Sequence, residues 1–327
     1  MRLPRARGDL SATVIDHLGR RPGTGRRIEA SAGPRTHPYG DDLQLALYLC
    51  YELHYRGFDG VDANWEWDPE LLRLRHSLER RFLEALRDDV PRHPDLSTAL
   101  EDLLTVPVGG TGVSRFLRDE GETWQLREYA ALRSLYHLKE ADPHVWVIPR
   151  IRNRAKAGMM AVEYDEFGAG RADRVHARLF ARLMEDLGID SSYGRYLEAA
   201  TAETLATVNL MSLLGLHRSL RGALVGHFAT VEITSSPASR RLADAMTRLN
   251  AGPAAVHFYT EHVEADAVHE QLVRHEVIDG LLEDEPHLAS DVLFGIDATV
   301  WLEGRLEDRL LDAWQTGGSA TRESVRP

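Results

Sequence analysis

The segment YTEHVEADAVHEQLVRHE, residues 259–276, carries His262, Asp266 and His269 at intervals of four and three. On an α-helix turning about 100° per residue, Asp266 falls ~40° to one side of His262 and His269 ~20° to the other. Two imidazoles and a carboxylate on one narrow stripe suit a first-row transition metal such as iron. An ordinary polar helix is the competing reading, since Glu261, Glu264 and Glu270 occupy its other face. A metal site in a helix bundle draws further carboxylates from facing helices. Glu232 is a candidate, because it sits in the otherwise apolar ALVGHFATVEITSS, where a lone carboxylate is costly unless paired or metal-bound. A salt bridge to an arginine of HRSLRG would serve it equally. Glu140 stands beside a helix interruption in YHLKEADPH. Glu166 and His176 are ten residues apart and can converge only if Gly168 and Gly170 unwind the helix between them. The plainer alternative makes Glu163, Asp165 and Glu166 a solvated acidic cluster.

The elements that must hold these groups read as helices almost throughout. DDLQLALYLCYELHYRGF carries a full apolar stripe, and PELLRLRHSLERRFLEALRDDV follows a first-turn proline with Leu and Phe at helical spacing. Long helical periods continue to residue 314, with a hinge at Gly215 and scarcely any strand signal. An all-α bundle is therefore expected. The Arg-, Gly- and Pro-rich residues 1–39 predict a mobile N-terminal arm around one short helix, residues 40–120 an N-terminal helical extension, 121–314 the core, and 315–327 a disordered tail. The chain has 327 residues, 43% of them hydrophobic, enough for a large core. A net charge of −12 argues against general nucleic-acid binding, and the single Cys50 excludes an internal disulfide. No apolar run approaches the ~20 residues needed to span a bilayer. A cytoplasmic protein without membrane attachment is the resulting expectation.

The phrases LYHLKEADPHVWVIPRI, AVEYDEFGAGR, LATVNLMSLLGLHRSLRGALVGHFATVEITSS and FYTEHVEADAVHEQ resemble the heme-oxygenase-like diiron oxidases and oxygenases, in particular the actinobacterial branch of iron-containing redox enzymes, over roughly residues 40–300. Glu140, Glu166, His176, Glu232, His262, Asp266 and His269 follow one another at spacings of 26, 10, 56, 30, 4 and 3. Those spacings are similar to those of an N-oxygenase domain in that family. The resemblance implies a heme-oxygenase-like bundle of about seven core helices with extra N-terminal helices. It implies these seven residues as ligands of two iron ions per chain, with manganese compatible with one position. One ion would take Glu166 and His176, the other Glu140 and Glu232. The helix of His262, Asp266 and His269 would serve both, with Glu232 as the bridge and the Gly168–Gly170 break as a mobile segment. It further implies O2 as co-substrate, an external reductant or electron donor, and a peroxo-diferric species that oxygenates the nitrogen of a small amine or guanidine metabolite. Oxidative C–C cleavage or desaturation of an amino or fatty acid is the alternative within the family. A homodimer is compatible with the resemblance.

Beside the ligands, Tyr164, Tyr259, His227 and Glu163 are candidates for supporting the chemistry, and Arg218, Arg221 and His54 for contacting a substrate. Heme oxygenase itself would need one axial histidine rather than this set of acidic and imidazole groups. A thiaminase-like hydrolase would need a nucleophile, for which only Cys50 is present. A non-catalytic helical interaction protein would leave the buried carboxylates without a purpose.

Overall fold

The computed structural model describes residues 1–23, 27–105 and 111–325, except for the side chains of Glu264, Asp266 and Ala267. Among the described residues there are thirteen α-helices and no strand. The N-terminal part contributes α1 (Asp9–Leu18), α2 (Asp41–Glu52), α3 (Pro69–Asp89), α4 (Leu96–Leu104) and α5 (Val113–Asp119). The remainder contributes α6 (Thr123–His137), α7 (Asn153–Glu166), α8 (His176–Asp186), α9 (Ala202–Leu216), α10 (Arg221–Arg248), α11 (Pro253–Leu272), α12 (Asp279–Asp284) and α13 (Ala289–Gln315). One turn of π-helix, Val273–Ile278, joins α11 to α12.

Local signals start the helices where the sequence marks them. Asp68 accepts hydrogen bonds from the N–H groups of Glu70 and Leu71, capping α3 ahead of Pro69. The apolar stripe Leu71, Leu74, Leu78, Phe82 and Leu86 then turns inward. Burying each such side chain contributes about 1.5–3 kcal/mol. Helix α2 is buried from Leu43 to Glu52, because α1, α3 and α9 all pack on it.

At the centre lies α10, packed against α11, α13, α5 and α9. Gly226 on α10 and Gly295 on α13 let these two helices touch backbone to backbone: a Cβ at either would overlap the carbonyl of Val292 or of Ala223. That close approach brings one wall of the carboxylate cluster, on α10, against α13.

The described residues of the expected N-terminal arm and tail make contacts with the rest of the chain. In the N-terminal arm, Val14, Leu18 and Ile28 are core residues, the terminal ammonium meets Asp59, and the Arg7 guanidinium reaches Asp41 and the Leu197 carbonyl. In the tail, Ala320 and Val325 are buried, the Ser319 hydroxyl donates to Glu128, and Arg322 pairs with Asp41.

Candidate metal centre

Six of the seven expected ligands converge inside the bundle. Glu140, Glu166, His176 and His262 offer donor atoms all within 4.8 Å of one another, and Glu166, Glu232 and His269 do the same. All six side chains are buried. The side chain of the seventh, Asp266, lies outside the described residues. Glu166 belongs to both groups.

The break between α7 and α8 makes this possible. Glu166 is the last residue of α7 and His176 the first of α8. Between them Gly168, Ala169 and Gly170 all take positive φ, at 76°, 52° and 78°. A Cβ at Gly168 would stand 2.6 Å from the Val175 nitrogen, so the turn requires glycine there. The chain doubles back, and His176 Nδ1 comes to 2.7 Å from Glu166 Oε2.

Histidine orientations are set from behind. His262 Nδ1 lies 2.7 Å from the Phe258 carbonyl, which can only accept, so this nitrogen carries the proton. Its other ring nitrogen, Nε2, lies 3.8 Å from Glu140 Oε1. A backbone carbonyl holding the far nitrogen is the usual support of a metal-ligating histidine. His269 places Nδ1 3.1 Å from Glu232 Oε2 and Nε2 3.3 Å from Asp165 Oδ2. Glu140 receives a hydrogen bond at Oε1 from His137 Nδ1 at 2.6 Å, while its Oε2 is buried without a hydrogen-bond partner.

The electrostatics are those of a nest of carboxylates short of positive charge. Burial alone would raise the Glu140 carboxyl, but His137 and His262 hold it well below the usual range. Burial lowers His176, and Glu166 outweighs it, leaving the imidazole above its ordinary value. Glu163 is pushed well above the carboxylate range by burial and by Glu166 and Glu232, and neither of its oxygens has a hydrogen-bond partner. A cation bound among these groups would offset both the repulsion and the desolvation. Carboxylate oxygens and neutral imidazoles are a donor set that fits iron.

The cluster opens on a cavity of about 460 Å³ between α6, α10, α11 and α13. Its wall includes Glu140, Glu166, Glu232 and His262, apolar Phe228, Val231, Leu242 and Val300, and the polar groups Arg133, Arg241, Glu303 and Glu307. Tyr259 lines it and is buried, with a hydroxyl pushed well above its ordinary pKa, burial being the main cause. His227 sits just behind, its Nδ1 2.8 Å from Thr299 Oγ1, its pKa lowered by burial to about 4.

Other expected residues are placed elsewhere. Tyr164 is 56% exposed and donates its hydroxyl to the Ala169 carbonyl, bracing the glycine turn from outside. Arg221 is held by Glu285, Arg218 is exposed, and His54 is bonded to Glu66 beside Trp67. None of these three lines the cavity, so none is placed to contact a substrate there. By proximity alone, Glu140 stands with Glu166, His176 and His262, and Glu166 is the carboxylate common to both groups. The glycine turn carries Glu166 inward to the middle of the cluster. His137 and His144 were missed. His137 stands three residues before Glu140, a spacing that puts both on one helical face. His144 shows no such signal; it lines the cavity, with its ring 5.2 Å from that of His227.

No helix of the described residues is long and apolar enough to cross a membrane. A nitrosourea synthase from Streptomyces achromogenes subsp. streptozoticus is 27% identical to this chain over 146 residues, covering 45% of this chain and 31% of that protein. The chain therefore matches under a third of its relative's length. Residues 127–304, more than half of the chain and spanning all the candidate ligands, match the family model of iron-containing redox enzymes. This heme-oxygenase-like helical protein belongs to that family.

Proposed function

We propose that the cluster holds two iron ions and that the protein uses O2 to oxygenate the nitrogen of a small amine or guanidine metabolite. The observation that carries this reading is the pair of buried ligand groups joined by Glu166 at the wall of a cavity of about 460 Å³. Glu140, Glu166, His176 and His262 would hold one ion, and Glu166, Glu232 and His269 the other, with Asp266 on the same helical stripe. Iron held there would supply the one-electron chemistry that activates O2, with an external donor as the source of electrons.

The chain's own residues have three tasks. His137 and the Phe258 carbonyl keep Glu140 and His262 aimed inward. The apolar wall of Phe228, Val231, Phe258 and Val300 limits water around the reacting atoms. Tyr136 and Tyr259 keep their protons because burial raises both, with the cluster carboxylates adding to the effect at Tyr136, so they present O–H donors toward the cavity. The same apolar wall favours a second reading, in which the oxidant cleaves or desaturates an alkyl-bearing acid.

Anaerobic titration with Fe(II), followed by oxygen mixing in the presence of candidate amines, tests the proposal. Two irons per chain, oxygen uptake and a product heavier by one oxygen are expected. Binding of one iron or none, or no oxygen uptake, overturns it. A product lacking hydrogen or carbon moves the assignment to the second reading.

A further inference from the structure

Exposed apolar surface gathers on the outside of the cluster. Seven large hydrophobic side chains are exposed among the described residues, and four of them, Met160, Tyr164, Phe167 and Val268, lie here, between 37% and 60% exposed. Met160, Tyr164 and Phe167 stand at intervals of four and three, so the end of α7 carries them on one stripe, within ~60° at 100° per residue. Glu163 and Glu166 of the same helix are buried beneath. Val268 on α11 precedes His269, whose Nε2 lies 3.3 Å from Asp165 Oδ2, at the point where α11 meets α7. Charge around the stripe runs opposite to that of the chain. Residues 150–182 carry eight Lys and Arg against four Asp and Glu, within a chain of net charge −12. Arg171 is answered by Asp173, and Arg154 by Glu276 and Glu283. Arg174 and Arg178 are exposed and have no ion-pair partner among the described residues. Both flank the stripe, since the backbone of Arg174 packs against Gly168, next to Phe167, and Arg178 lies one helical turn further on.

We propose that this face docks a small acidic protein that carries one electron at a time, and that electrons enter the cluster through the α7–α8 turn. The inference rests on the reading above, in which an external donor serves the cluster. Two features select the partner. An acidic carrier is repelled by the chain as a whole and attracted here, so the charge pattern steers it to one face. The apolar stripe is small and flanked by cations, as suits an electron-transfer encounter, which buries less area than a stable complex. Position agrees. Phe167 follows Glu166 directly, and Arg174 and Arg178 stand two residues to either side of His176, so a carrier seated here is one layer of backbone from two candidate ligands. Each docking passes one electron inward and leaves the carrier oxidised, with no bond made or broken. A membrane surface is the lesser fit, since it gains about 1 kcal/mol per arginine and nothing from nearness to the cluster.

The probe is an acidic plant-type [2Fe–2S] ferredoxin, with a basic c-type cytochrome as control. Fluorescence anisotropy measures its binding to the full chain, metal-free and iron-loaded, and stopped flow measures reduction of the oxidised iron-loaded protein. Ferredoxin should bind and the cytochrome should not, and raising salt to 0.5 M should weaken binding by about tenfold or more. Arg174→Glu with Arg178→Glu should weaken it by at least about tenfold and slow reduction by ferredoxin alike, with reduction by dithionite unchanged. Met160→Ser should weaken binding by a smaller factor without changing its salt dependence. No binding of ferredoxin, or equal affinity in the doubly reversed variant, overturns the inference. So does a chain dimer, or binding to phosphatidylserine vesicles, that the same double variant abolishes, because the face then belongs to another occupant. Iron content is measured separately. Charge-dependent docking on a chain that loads no iron sinks the reaction-centre reading alone, and iron reducible by dithionite without docking sinks the carrier face alone.

Discussion

Lys139 and Glu140 are neighbours in the chain, both buried, and treated in opposite ways. The Lys139 ammonium donates to Glu52 Oε2 at 2.9 Å and lies 4.1 Å from the centre of the Tyr55 ring. The Tyr193 hydroxyl donates to the other oxygen of Glu52 at 2.6 Å. This set is closed, each charge answered by the fold, and it locks α2 to the core. One residue on, Glu140 joins a group of carboxylates that only histidines oppose, and it keeps a buried oxygen with no partner. On the proposed reading, the difference separates charge that serves stability from charge held in reserve for a ligand. A structural pair is complete without help, whereas a binding site is incomplete until something arrives.

Removing one member from each set is the sharpest way to break this contrast. In the cluster, His269→Ala should abolish turnover and remove about one iron per chain, because no other imidazole in that group can replace it. Metal analysis and oxygen uptake check this, and retained turnover would take His269 out of the reactive set. In the closed pair, Lys139→Met should lower stability by about 3–5 kcal/mol, since it strands the Glu52 charge in the core. The double variant with Glu52→Gln should recover the larger part. Denaturant unfolding measures both, and metal-free His269→Ala should lose less than Lys139→Met. If the two changes cost the same, the division between closed and open charge fails.

A third set gives the smallest effect. His93 places Nδ1 2.5 Å from Asp297 Oδ1 and Nε2 3.2 Å from Asp102 Oδ2, and is about a quarter exposed. The bond to Asp297 raises its pKa, ahead of the lowering by desolvation. A raised histidine contributes stability that is fully present below the unfolded value of ~6.5 and is lost as pH climbs through the folded one. His93→Gln should therefore flatten the fall in stability above that pH by less than about 1 kcal/mol, given the solvent screening. Chemical denaturation across pH 6–9 reads the slope, and an unchanged slope removes His93 as its source.

Much of this was legible in the sequence, and the reasons are local. Helices announce themselves by period, so the bundle followed from stripes such as Leu71–Phe82 and from capping residues such as Asp68. His262 and His269 were legible because helical spacing alone puts them on one face. Convergence of Glu166 with His176 was legible because two glycines between them permit a reversal. What could not be read is which faces of separate helices share a cavity. Arg218 and Arg221 looked available because arginine recognises carboxylates, yet Glu285 already holds Arg221. Arg241 gave no local sign of lining the cavity, since its placement depends on Ser114 of another helix. Lys139 and Glu52 are separated by 87 residues, beyond the reach of any periodicity.

One consequence follows from the position of Glu166, at the end of α7, ahead of the left-handed turn and common to both ligand groups. On the proposed reading the two occupancies are not independent. Whichever ion settles first orients the one carboxylate its companion also needs, so the second affinity is a function of the first, and that linkage runs both ways. Metal uptake should then trace a cooperative isotherm rather than the sum of two separate ones, with the Gly168–Gly170 reversal setting how steep it is.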